Sequence, residues 1–104
     1  MNNQSKEALL QEAQQLWDVL DSMRDDFEEG TGDFEARVYD VLDYLDAALN
    51  LDQNFDSALA LKVELMTNEL GAYEDAVEEA ERLTQIAPNN PQYQAMLTAI
   101  QSKL

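Results

Sequence analysis

The chain contains no cysteine and no histidine. The first absence excludes disulfides, thiolate metal sites and cysteine nucleophiles. The second removes the commonest general base and metal ligand. Glycine occurs three times and proline twice, which leaves little room for hairpins or long loops. Basic residues number only six, and they are scattered: Lys6, Arg24, Arg37, Lys62, Arg82 and Lys103. Phosphate binding needs clustered bases, so a direct nucleic-acid ligand is disfavoured, and an anionic membrane surface equally so. No apolar run is long enough to span a bilayer, and the N-terminus does not read as a signal peptide. A cytoplasmic location is expected.

The residues present are helix formers. Ala, Leu, Glu, Gln and Met outnumber the β-branched residues. At 104 residues a single domain, 1–104, is expected, and 45% hydrophobic content suffices for a core. Apolar residues recur at steps of three and four in five stretches. The pattern predicts helices at about 5–29, 34–50, 55–70, 73–87 and 91–103. Ser5 is placed to cap the first, Asp33 the second and Asn90 the fifth, with Pro91 at the first helical position. Gly30, Gly32 and Gly71 supply left-handed conformations beside the stops. Short loops predict an all-α fold of five antiparallel helices.

One unit recurs. Gly32-Asp33-Phe34-Glu35 matches Gly71-Ala72-Tyr73-Glu74, and Leu51 to Phe55 parallels Ile86 to Asn90. In this respect the chain resembles the tetratricopeptide repeat, a helix-turn-helix unit of about 34 residues. The match runs from Ser57 to Asn90, with Gly71, Tyr73, Ala76, Ala80 and Pro88 at the family's characteristic positions. Leu83, Glu64 and Ala60 depart from the pattern, and the earlier copy, about Asp18 to Asn54, keeps the glycine-aromatic turn. The resemblance implies a right-handed superhelix with 91–104 as a cap helix. A plain five-helix bundle is the alternative.

Chemistry-bearing motifs are sparse. Asp52-Gln53-Asn54-Phe55-Asp56 looks like the start of an EF-hand loop, but Ser57 and Val63 stand where that loop needs glycine and glutamate. An inter-repeat turn is expected instead, with no metal and no cofactor. Acids are too common for pairing alone to mark catalysis, so no catalytic residue is assigned and no enzyme is expected. Trp17 falls on the apolar side of the first helix, which favours core packing. Tyr39 and Tyr44 lie off the main stripe of the second.

The charge is the strongest signal. The net charge is −16, and every one of the 22 acids lies between Glu7 and Glu81. On a continuous first helix Asp18, Asp21, Asp25 and Glu28 align. Glu74–Glu78 and Asp75–Glu79 are like-charge pairs four apart, offset only by Glu78–Arg82. This acidic face (Asp18, Asp21, Asp25, Glu28, Glu74 and Glu78) is either a solubility device or a docking surface.

The expected function is a small non-enzymatic adaptor or chaperone that binds a basic or amphipathic segment of another protein. By the repeat resemblance, Ala58, Leu61, Leu65 and Asn68 line a concave groove, flanked by Val19, Ser22, Asp26 and Glu29 and followed by Gln92, Ala95 and Ala99. Leu61 and Leu65 are expected to be open to the partner, and Leu59 to be core. Two other readings stay open. One is an inhibitor of a DNA- or RNA-binding protein whose carboxylates mimic phosphates. The other is a self-associating module, a homodimer burying Leu61 and Leu65.

Overall fold

A computed structural model describes residues 4–104. Its elements are α1 (Lys6–Ser22), a 3-10 turn (Arg24–Asp26), α2 (Asp33–Leu51), α3 (Asp56–Asn68), α4 (Tyr73–Ile86) and α5 (Pro91–Gln101). There is no strand among the described residues. No helix among them is long and apolar enough to cross a membrane. The chain divides into two compact units, Met1–Gln53 and Asn54–Leu104.

The first unit is a helical hairpin in which α1 packs on α2. The Ser5 hydroxyl accepts from the Ala8 amide at 3.1 Å and so starts α1. The buried stripe is Leu9, Ala13 and Leu20 on α1, against Val38, Val41, Leu42, Leu45, Ala48 and Leu49 on α2. Lys6, in the first turn of α1, pairs with Asp52 at the C-cap of α2. Near the other end of the hairpin, the Trp17 and Phe34 rings meet at 6.1 Å. Both contacts require the helices to run in opposite directions.

Helix α1 stops at Ser22, well short of residue 29. Extended to Glu29, its last turns would carry Asp25, Asp26, Glu28 and Glu29 against the negative end of the macrodipole, with no base in the final turn. The chain tightens instead. The Met23 amide reaches both the Val19 and Leu20 carbonyls at 3.1 Å, and the Asp26 amide bonds the Met23 carbonyl at 2.8 Å. Leaving the helix lets Phe27 turn back onto Phe34, with ring centroids 5.3 Å apart in an edge-to-face pair. Gly30 and Gly32 take positive φ, as expected, but they belong to the turn into α2. Asp33 is not the cap of α2; it is already helical. The Thr31 hydroxyl accepts from the Asp33 amide at 3.2 Å and donates to the Glu28 carbonyl at 2.9 Å.

In the second unit α4 packs against both α3 and α5. Gly71, at φ +63°, reverses the chain, and the Ala72 amide reaches back to the Met66 carbonyl at 2.8 Å. Buried Ala76, Ala80 and Leu83 form the inward face of α4. The Asn90 side chain accepts from the Gln92 amide at 2.9 Å and starts α5, with Pro91 in its first turn. The Tyr93 hydroxyl donates to Asp56 at 2.8 Å. That bond joins the first turns of α3 and α5, so these two helices run the same way and α4 runs against them.

Burial pushes the Tyr93 phenol up to about 12, and the hydrogen bond to Asp56 adds to the shift. A folded-state pKa above the unfolded one means that the folded chain holds this proton longer. Its stabilisation is complete below pH 10 and is lost as pH rises towards 12, by at most roughly 2–3 kcal/mol. Ultraviolet titration should show a tyrosine step displaced upward from pH 10 towards 12. Tyr93→Phe should remove that late step and flatten the alkaline fall in stability.

Candidate interaction surfaces

The residues assigned to a groove from the sequence are distributed over several environments. Val19, Ser22, Asp26 and Glu29 are exposed at the loop end of the α1–α2 hairpin. Asn68, Gln92, Ala95 and Ala99 are exposed on the second unit, and Leu61 is half-buried. Ala58 and Leu65 are covered, at 0% and 1% exposure. These two are therefore not open surface in the free chain. Four of the apolar residues of α3, namely Ala58, Leu59, Val63 and Leu65, are buried together. The helix is short and apolar around much of its circumference, so it has no second apolar side left over for solvent.

An open cleft of about 440 Å³ does exist in the second unit. Val63, Tyr73, Met96 and Ile100 form its apolar part, from all three helices. Asn68, Gln92 and Ala99 also line it, so three of the expected groove residues share one concavity. Glu64 and Lys103 give its wall one charge of each sign. The Tyr93–Asp56 bond fixes the spacing of α3 and α5 at one end, and α4 packs against both. The cleft is thus the gap between two helices held by a third.

The acidic face is exposed throughout, at Asp18, Asp21, Asp25, Glu28, Glu74 and Glu78. Its first half is not a helical stripe. Asp25 sits in the 3-10 turn and Glu28 lies beyond it, so the alignment that a continuous helix would give stops at Asp21. The charge is unevenly shared. Met1–Gln53 carries 14 acids and three bases, net −11; Asn54–Leu104 carries eight acids and three bases, net −5.

The sequence did not point to the arrangement around Arg24. Its guanidinium lies 4.8 Å from the Phe34 ring centroid and 5.7 Å from that of Trp17, and it bonds Asp21 at 2.9 Å. Trp17, Phe27 and Phe34 are each half-buried. An antiparallel hairpin brings the end of α1 to the start of α2. Trp17 and Phe34 could have been paired on that ground; the break at Ser22 that brings in Phe27 and Arg24 could not.

The acidic turn after α2 has structural partners. Asp52 pairs with Lys6, and Asp56 accepts the Tyr93 hydroxyl. The hydrogen bond and the charge of Asp52 hold the Lys6 ammonium above its usual value. Among the described residues no group of three or more acids is placed to share a metal ion. Comparison with protein-family models, with curated proteins and with solved structures finds no match for this chain.

Burial separates the leucines of α3. Leu65→Glu should destabilise as severely as Leu59→Glu, by roughly 3–5 kcal/mol, because each places a carboxylate where a fully covered side chain stood. Leu61→Glu, at a half-buried position, should cost less than half as much. Urea unfolding of the three variants measures the order; equal losses for Leu61 and Leu65 would contradict it.

Proposed function

We propose that this chain is a small, acidic, non-enzymatic interaction module, an adaptor or chaperone, that binds a peptide or helix of another protein. The observation that carries the reading is the cleft on the second unit. It is lined from three helices and offers the half-buried Tyr73 and Met96 with polar residues beside them, the composition of a helix-in-groove site. The surrounding negative charge favours a basic amphipathic ligand over an acidic one. The non-enzymatic part of the reading rests on the lack of histidine and cysteine. The alternating sense of α3, α4 and α5, with Gly71 at the α3–α4 turn, supports a tetratricopeptide-like reading of the second unit with α5 as its cap helix. A cytoplasmic setting belongs to the same reading.

Phosphate mimicry is the second reading, favoured by the 14 acids of Met1–Gln53. It requires that the chain displace DNA or RNA from a nucleic-acid-binding protein, whereas the adaptor reading does not.

The test is residue-resolved. A synthetic amphipathic helix of leucine and arginine, titrated into isotopically labelled chain, should shift the amide resonances of Asn68, Gln92, Met96 and Ala99. Ala99→Arg, at an exposed position, should abolish those shifts with the thermal melt unchanged. Raising salt from about 50 to 500 mM should weaken the shifts that remain, since charges across an interface are screened. A titration that leaves all four residues unmoved removes the cleft as the binding site.

A further inference from the structure

We propose that the loop end of the α1–α2 hairpin is a second docking site, for an arginine-bearing basic helix of a partner protein, and that Arg24 occupies the place of the partner's arginine in the free chain. The inference rests on the interaction-module reading but not on the cleft.

The site already holds a guanidinium. Arg24 lies over two aromatic faces at once, at 4.8 Å from Phe34 and 5.7 Å from Trp17, and bonds Asp21 at 2.9 Å. Ring faces attract cations, and a planar guanidinium can stack on a ring while forking to a carboxylate, which an ammonium cannot do. The cluster therefore has the chemistry of an arginine receptor, and the chain fills it with its own side chain. That side chain remains 45% exposed, so it is displaceable from the solvent side.

Two further features define the partner. Val19 and Met23, four apart at the end of α1, leave 52% and 41% of their surface in solvent. They form a short apolar strip that the hairpin core does not use, suited to the apolar side of an amphipathic helix. Residues 18–35 also carry eight carboxylates, all exposed, with Arg24 the only base in that stretch. One internal cation leaves most of this field uncompensated. A basic helix supplies several, and charge complementarity excludes an acidic or phosphate-bearing occupant.

If Arg24 is a stand-in, its removal should help the partner. It frees both ring faces and deletes the one positive charge that repels an incoming arginine. Trp17 is the single tryptophan and lies in the cluster, so its emission reports the site directly. The experiment uses the full chain carrying Ala99→Arg, which blocks the cleft and lets the two surfaces be read separately. The probes are the leucine-arginine helix and a twin with lysine at every arginine. The arginine helix should change Trp17 emission saturably, and the lysine twin should bind more weakly. Adding Arg24→Ala should tighten the arginine helix by about two- to fivefold, the worth of an exposed cation–ring contact. Arg24→Gln, which keeps the stem, should tighten it in the same direction and serves if Arg24→Ala melts early. Unchanged or weakened binding in the Arg24 variants makes Arg24 a plain staple of the hairpin and overturns the proposal. So does a silent Trp17. Cleft resonances that move in the chain with native Ala99 while Trp17 stays silent leave the module reading standing and remove only this surface.

Discussion

None of the five α-helices among the described residues has a basic residue in its last turn. Each of them thus ends with its carbonyl dipoles uncompensated by its own side chains, in a chain of 22 acids and six bases. The ends have to be settled by other means. After α3 it is the positive φ of Gly71. At α2 it is a cation borrowed from elsewhere: Lys6, in the first turn of α1, pairs with the C-cap residue Asp52. A lysine in a first turn is unfavourable for its own helix. It is favourable for the antiparallel neighbour, whose C-terminus lies beside it, and so it joins the open end of the hairpin. At α1 the helix gives way to a 3-10 turn after Ser22, and Arg24 in that turn bonds Asp21.

The same constraint explains which parts of the fold were legible. No buried residue is polar or charged among those described. The core is therefore written entirely in apolar periodicity, and the stripes of α2, α4 and α5 fall where the spacing of Val38, Val41, Leu45, Ala76, Ala80, Leu83 and Ile100 puts them. Helix ends depend instead on electrostatics and on local hydrogen bonds. The run from Asp18 to Glu29 keeps helical periodicity through Met23 and Phe27, so periodicity alone extends α1 too far. Asp33 looked like a cap because of its residue type, but the adjacent Thr31 hydroxyl makes the bond. On α3, apolar residues on two sides suggested one side free for a partner. Leu65 and Ala58 are both covered, because burial depends on what surrounds the helix, and no pattern within its own sequence records that.

The interaction surfaces divide in the same way. The cleft of the second unit was partly legible, since Asn68, Gln92 and Ala99 were assigned to one groove and line one concavity. The aromatic cluster of the first unit was not, because it depends on the early stop of α1. A continuous helix would have carried Arg24 and Phe27 onward along its axis. The stop turns Phe27 back to Phe34 and lays Arg24 over the rings. Repulsion among carboxylates and their conflict with the helix dipole thus help to build a place where a cation is held against aromatic faces.

This causal order bears on the meaning of the charge. If acidity served only solubility, its distribution would be indifferent, and exposed acids could be spread evenly over the chain. They are not: net −11 falls on the first unit and −5 on the second. The excess sits on the unit whose loop end also carries Val19, Met23 and the Arg24 cluster. Like charges this dense cost the folded chain some stability, and solubility does not require that they crowd one hairpin. On the docking proposal above, a cationic partner offsets that cost when it binds. On this argument the acids and the aromatic end are parts of one surface, in which the field draws a basic segment and the rings select arginine.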